Sequence, residues 1–77
     1  MRNIFEKEVN GMVYTCYRIP MMGEIVYNIS YIQNGSSEVF IMRKNGKRWK
    51  IKEKGLDGFV YSSEPALEDA INENEHS

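Results

Sequence analysis

The sequence predicts an α+β domain: an antiparallel β-meander of five strands, or six, with one C-terminal α-helix packed on one face. Three observations carry that prediction. Asn-Gly occurs three times, at Asn10-Gly11, Asn34-Gly35 and Asn45-Gly46, each pair between segments rich in Val, Ile, Tyr, Phe and Trp. The flanking segments alternate apolar and polar residues with period two, the pattern of a half-buried strand. Near the C-terminus the period changes: Leu67, Ala70 and Ile71 fall at i, i+3 and i+4, one stripe of a helix.

Each element follows from local chemistry. A two-residue type I′ turn needs positive φ at both central residues, which Asn tolerates and Gly adopts freely. The three Asn-Gly pairs therefore predict three hairpins, joining strands over residues 3–9 and 12–19, 24–33 and 37–44, and 37–44 and 47–52. Pro20-Met21-Met22-Gly23 is expected to be a four-residue loop between the second and third strands. Residues 53–61 read as a turn followed by a short edge strand at Phe59-Val60-Tyr61. Ser62 or Ser63 is a candidate N-cap for a helix over 63–73, with Pro65 in its first turn and Glu64, Glu68 and Asp69 complementing the positive end of the helix dipole. Residues 74–77 are expected to fray. The whole chain, 1–77, reads as a single small domain.

Register can be tested by arithmetic, because a one-residue slip reverses every side chain. Turns at the Asn-Gly pairs put Phe5 opposite Cys16, Tyr27 opposite Met42, Ile29 opposite Phe40 and Met42 opposite Trp49. The four-residue loop puts Cys16 opposite Tyr27. One face then collects Phe5, Val9, Met12, Tyr14, Cys16, Ile25, Tyr27, Ile29, Tyr31, Phe40, Met42, Trp49 and Ile51, interrupted by Lys7, Arg18 and Glu38. Leu67, Ala70 and Ile71 cannot cover thirteen apolar positions, so either residues 56–61 or a second subunit must help. The second face reads, row by row, Ile4-Tyr17-Val26-Arg43-Arg48, Glu6-Thr15-Asn28-Ile41-Lys50 and Glu8-Val13-Ser30-Val39-Lys52. It is acidic at one side, mixed in the centre and basic at the other.

Composition narrows the function classes. The chain has 77 residues, 42% hydrophobic and 27% charged, with a net charge of −1. A domain of this size buries roughly 60% of its unfolded surface, so its stability is modest. Cys16 is the only cysteine, which excludes an internal disulfide and any multi-cysteine zinc site. Small secreted domains are usually disulfide-stapled, so a reducing, cytoplasmic setting is expected. Residues 1–8 lack the apolar core of a signal peptide, and no apolar run approaches membrane-spanning length.

No catalytic constellation stands out. His76 is the only histidine and lies in the tail, and Cys16 falls mid-strand on the core face with no base to activate it. Glu6 and Glu8 read as solvent-side charges of an edge strand. The run Glu64, Glu68, Asp69, Glu73, Glu75 lacks calcium-loop spacing and reads as the solvated side of a helix. There is no Gly-rich phosphate loop. No enzyme, cofactor, metal or small-molecule ligand is indicated.

One charged feature rises above background. Arg43, Lys44, Lys47, Arg48, Lys50, Lys52 and Lys54 are seven of the ten basic residues, packed into twelve positions with only Glu53 opposing them. Alternation puts Arg48, Lys50 and Lys52 on the face away from Trp49, with Arg43 across from Arg48. Like charges facing across a ladder are destabilising, which an anionic partner would relieve. Lysine on a sheet edge also blocks aggregation without any ligand, and single-strand binders interleave aromatics with the basics, of which only Tyr17 lies on this face. The sequence therefore predicts a non-catalytic domain for a protein partner or self-association. The alternative is a nucleic-acid-binding module using Arg43, Lys44, Lys47, Arg48, Lys50 and Lys52.

Overall fold

In the computed structural model, which describes residues 1–77, the strands are β1 (Ile4–Val9), β2 (Met12–Met21), β3 (Glu24–Gln33), β4 (Ser36–Asn45) and β5 (Arg48–Ile51). They pair antiparallel in chain order as one curled sheet. Two helices follow, α1 (Gly58–Ser62) and α2 (Glu64–Glu75). The architecture is α+β.

Two Asn-Gly turns form where the sequence puts them. Asn10 (φ 52°) and Gly11 (φ 84°), then Asn34 (φ 52°) and Gly35 (φ 78°), hold both central residues in the left-handed region. The other two hairpins turn one residue later than expected. Pro20 and Met21 continue β2, and the turn is Met22-Gly23, with φ 50° and 83°. At the last hairpin Asn45 pairs with Arg48, leaving Gly46 (φ 65°) and Lys47 in the loop. Moving a turn centre by one residue shifts the pairing by two. Cys16 therefore meets Ile29 rather than Tyr27, Met42 meets Ile51 rather than Trp49, and Trp49 meets Lys44. A shift of two leaves the pleat unchanged, so all thirteen apolar positions keep their face.

Met22 is 99% exposed, so nothing packs its side chain to repay the left-handed backbone. Met22→Asn is expected to stabilise the fold by about 1 kcal/mol, because Asn tolerates this region better. Chemical denaturation reads this directly, as a higher midpoint at unchanged slope.

Tyr14, Cys16, Tyr27, Ile29, Tyr31, Phe40, Met42 and Trp49 form one buried cluster with Val60, Leu67 and Ile71; Phe5, Val9, Met12, Ile25, Ile51 and Leu56 pack around it. Aromatic rings meet edge to face, Tyr27 on Trp49 at 5.2 Å and Tyr14 on Tyr31 at 5.5 Å. The expected sixth strand is absent: Phe59, Val60 and Tyr61 lie in α1. Their β-propensity is overridden by tertiary packing, since the helical turn sends Val60 into the core and Phe59 against Tyr31 at 5.7 Å. The Tyr61 hydroxyl donates to the Glu53 carbonyl and accepts from the Leu56 N–H, pinning the connecting loop. Residues 56–61 thus supply cover that α2 lacks, through Val60 in the cluster and Leu56 packed against it.

Ser63 stands at the start of α2, but its hydroxyl makes no capping bond. It bonds the Tyr14 hydroxyl at 3.0 Å and donates to the Phe59 carbonyl at 2.9 Å. At the other end α2 runs to Glu75, through positions expected to fray. The Asn74 side chain exchanges hydrogen bonds with the Arg2 backbone and donates to the Tyr27 hydroxyl.

Candidate functional site

The basic hairpin meets the chain's own carboxylates. Arg48 makes a two-pronged contact with Glu68, both bonds at 2.8 Å; Lys50 lies 3.8 Å from Glu64; Arg43 donates to Glu24 at 3.2 Å. Lys44 is on the Trp49 side, its ammonium 5.9 Å from the indole centroid in a cation–π contact. Of the six predicted binding cations, Lys44, Lys47 and Lys52 have no carboxylate within ion-pair distance. The like-charge pair across the ladder is Arg43 with Lys50, not Arg43 with Arg48. Glu24 and Glu64 already relieve its repulsion.

The acidic residues of α2 are therefore only in part a solvated face: Asp69 and Glu73 are exposed, while Glu64, Glu68 and Glu75 are turned to partners. Glu68 accepts the Trp49 N–H at 2.8 Å and Glu64 accepts the Ile51 N–H at 2.7 Å. The spacing explains the fit. Four helical residues rise about 6 Å, and two strand residues advance about 6.7 Å, so carboxylates at i and i+4 reach amides at j and j+2. α2 thereby caps the donors on the free edge of β5. Glu53 does the same one strand inward, accepting the Ile41 N–H at 2.8 Å where β5 has ended. The signal in the sequence was Glu64-x-x-x-Glu68 following a strand that ends in Trp49-Lys50-Ile51.

Charge and burial set the ionisation of these groups. The Arg48 guanidinium, helped by the Trp49 N–H and opposed by desolvation, brings the Glu68 carboxyl down to about 2. Arg18, which interrupted the apolar face in the sequence, is answered by Glu75 at 2.7 Å and holds that carboxyl below its ordinary value. Glu75 also accepts from the Tyr27 hydroxyl, and burial with that bond pushes Tyr27 up to about 12. Burial alone pushes the Cys16 thiol up to about 12, far from a reactive thiolate. No three His, Cys, Asp or Glu side chains come together to hold a metal ion. No helix is long and apolar enough to cross a membrane.

A cleft of about 510 Å³ opens between the β1–β2 turn and α1, lined by Val9, Asn10, Gly11, Met12, Gln33, Phe59, Ser62 and Ser63. Its most buried polar side chain, Ser63, is already bonded to Tyr14 and Phe59.

The second sheet face is the remaining candidate. The shifted turns change its rows, which read Ile4–Tyr17–Asn28–Ile41, Glu6–Thr15–Ser30–Val39 and Ile19–Val26–Arg43–Lys50. Val26 is fully buried without belonging to the core cluster. On the same face Ile4, Val13, Tyr17, Ile32 and Val39 remain exposed, Ile4 and Ile32 at about 60%. Glu6 and Glu8 have no ion-pair partner. Comparison with family models, with curated proteins and with solved structures found no match, so the functional reading rests on these residues alone.

Proposed function

We propose that the chain is a non-catalytic protein-interaction module that self-associates through the second face of its sheet. With Val60, Leu67 and Ile71 of α1 and α2 in the cluster of Tyr14 and Trp49, the opposite face buries Val26 but leaves most of its other apolar side chains open. The observation that carries this reading is the exposed apolar surface of Ile4, Val13, Tyr17, Ile32 and Val39 on that one face. Exposed apolar side chains interspersed with polar ones, here Thr15, Asn28 and Ser30, mark protein interfaces. Nucleic-acid binding is the weaker reading, because four of the six candidate cations are already engaged within the chain.

Sedimentation velocity tests this. The chain is expected to pass from 9.0 kDa to its dimer mass as concentration rises toward millimolar. Tyr17→Lys with Val39→Lys should hold it monomeric while leaving its circular dichroism unchanged. A chain that stays monomeric throughout overturns the reading. Oligonucleotide binding at about 50 mM salt that weakens steeply as salt rises would put nucleic acid in its place.

A further inference from the structure

The charges on the second face are not spread along two opposite edges; they sit at two opposite corners. Glu6 lies in the row of Thr15, Ser30 and Val39, and Glu8 lies beyond it on β1, opposite Val13. Lys50 lies in the row of Ile19, Val26 and Arg43, and Arg48 lies beyond it on β5, with Lys47 in the adjoining turn. Four strand spacings, about 19 Å, separate the corners across the sheet, and two side-chain repeats, about 13 Å, separate them along the strands. That diagonal is well over the screening length of about 8 Å at physiological salt. Arg43, Lys50 and Arg48 are already paired with Glu24, Glu64 and Glu68, so the unpaired positive charge at the basic corner is that of Lys47 and Lys52, too far from Glu6 and Glu8 to be neutralised by them within one chain.

We propose that a second copy of this chain covers the face, turned so that each Glu6–Glu8 corner meets the other copy's basic corner. This rests on the self-association reading above and fixes its geometry. A two-fold axis lying between the sheets acts on the face as a mirror line. An axis along the strands would lay β1 over β5 but leave each charged corner in its own row, about 13 Å from its counterpart. An axis across the strands would lay β1 on β1, keeping each acidic corner a full sheet width from the other copy's basic corner. Only an axis perpendicular to the charged diagonal superposes acid on base, and it does so twice, as a two-fold interface requires. With offsets of about 19 Å and 13 Å, the strands of the two sheets then cross at about 70°, nearer the orthogonal than the aligned arrangement of sheets packed face to face. Asn28, Ile41 and Tyr17 lie at the centre of the crossing, and Val26 beside them. Lys47 and Lys52, which have no internal ion pair, are free to meet Glu6 and Glu8 of the other copy.

Charge exchange at the two corners tests the geometry with little risk to the fold, because none of the four side chains has an internal ion pair. Glu6→Lys with Glu8→Lys should raise the dimer dissociation constant about tenfold or more, since each pair counts twice. Lys47→Glu with Lys52→Glu should do the same. An equimolar mixture of the two variants should associate about as tightly as the unaltered chain, because both contacts of the mixed dimer are again acid on base. Circular dichroism confirms folding of each variant before mixing. A dimer whose affinity ignores both substitutions, or a mixture no tighter than either variant alone, overturns the geometry while leaving self-association in place. A chain that is monomeric at every concentration overturns both.

Discussion

Trp49→Ala is expected to leave the domain largely unfolded at room temperature. Trp49 is 2% exposed, with the Tyr27 ring against it edge-on and the Lys44 ammonium over it. It is the largest side chain in the core, and β5 is only four residues long. Truncating a buried tryptophan costs about 3–5 kcal/mol, which for a domain of this size is most of the stability it has. Thermal melting by far-UV circular dichroism should show the cooperative transition lost or moved far down in temperature. Trp49→Phe, which keeps a ring in the site, should retain a transition between the two. An alanine variant that melts like the unaltered chain would contradict the burial of this residue.

The second large effect concerns acid. Glu68 is held near 2, against an ordinary value of 4.5, chiefly by Arg48. A carboxyl whose folded value is depressed stabilises the fold fully above its unfolded value, and that contribution disappears as pH falls through the folded one. Stability is therefore expected to decline between about pH 4.5 and 2, with Glu75, lowered by Arg18, contributing in the same direction. Glu68→Gln can still accept the Trp49 N–H but loses the charged contact with Arg48. It should cost about 1.5–3 kcal/mol near neutral pH and flatten the acid limb. Urea denaturation followed by Trp49 fluorescence at several pH values measures both. An acid limb equally steep in the Glu68→Gln variant would assign the effect to other carboxyls.

How much of this was legible in the sequence depends on which physical rule governs each feature. Alternation has a period of two, and turn position enters the register doubled. Misplacing the turns at Met22-Gly23 and Gly46-Lys47 by one residue therefore changed the partners of Cys16, Met42 and Trp49 but not their face. The core was thus readable and the cross-strand neighbours only partly so. Met22 hid its turn because methionine gives no local sign of a left-handed backbone. Phe59-Val60-Tyr61 read as a strand because three residues carry propensity but no period, and the burial of Val60 decided the outcome. The candidate site failed differently. Arg48, Lys50, Glu64 and Glu68 each look solvated in one dimension, and only the approach of α2 to β5 makes two pairs of them. The second face was foreseen as mixed apolar and charged, yet its corner-to-corner charge pattern exists only in the corrected register.

The meeting of Glu64 and Glu68 with β5 also bears on how the sheet could grow. An edge strand is ordinarily a template, its outward amides free to recruit the carbonyls of any extended chain. At β5 the Trp49 and Ile51 amides are occupied by carboxylates that no incoming strand can displace without first lifting α2. Recruitment at this edge would therefore proceed from a locally opened minor state, at a rate set by how often the helix undocks. At the opposite edge, β1 relies instead on Glu6, Lys7 and Glu8, charges that repel their own kind in register but block no hydrogen bond. The two margins of one small sheet are guarded by different means, one by a latch and the other by repulsion.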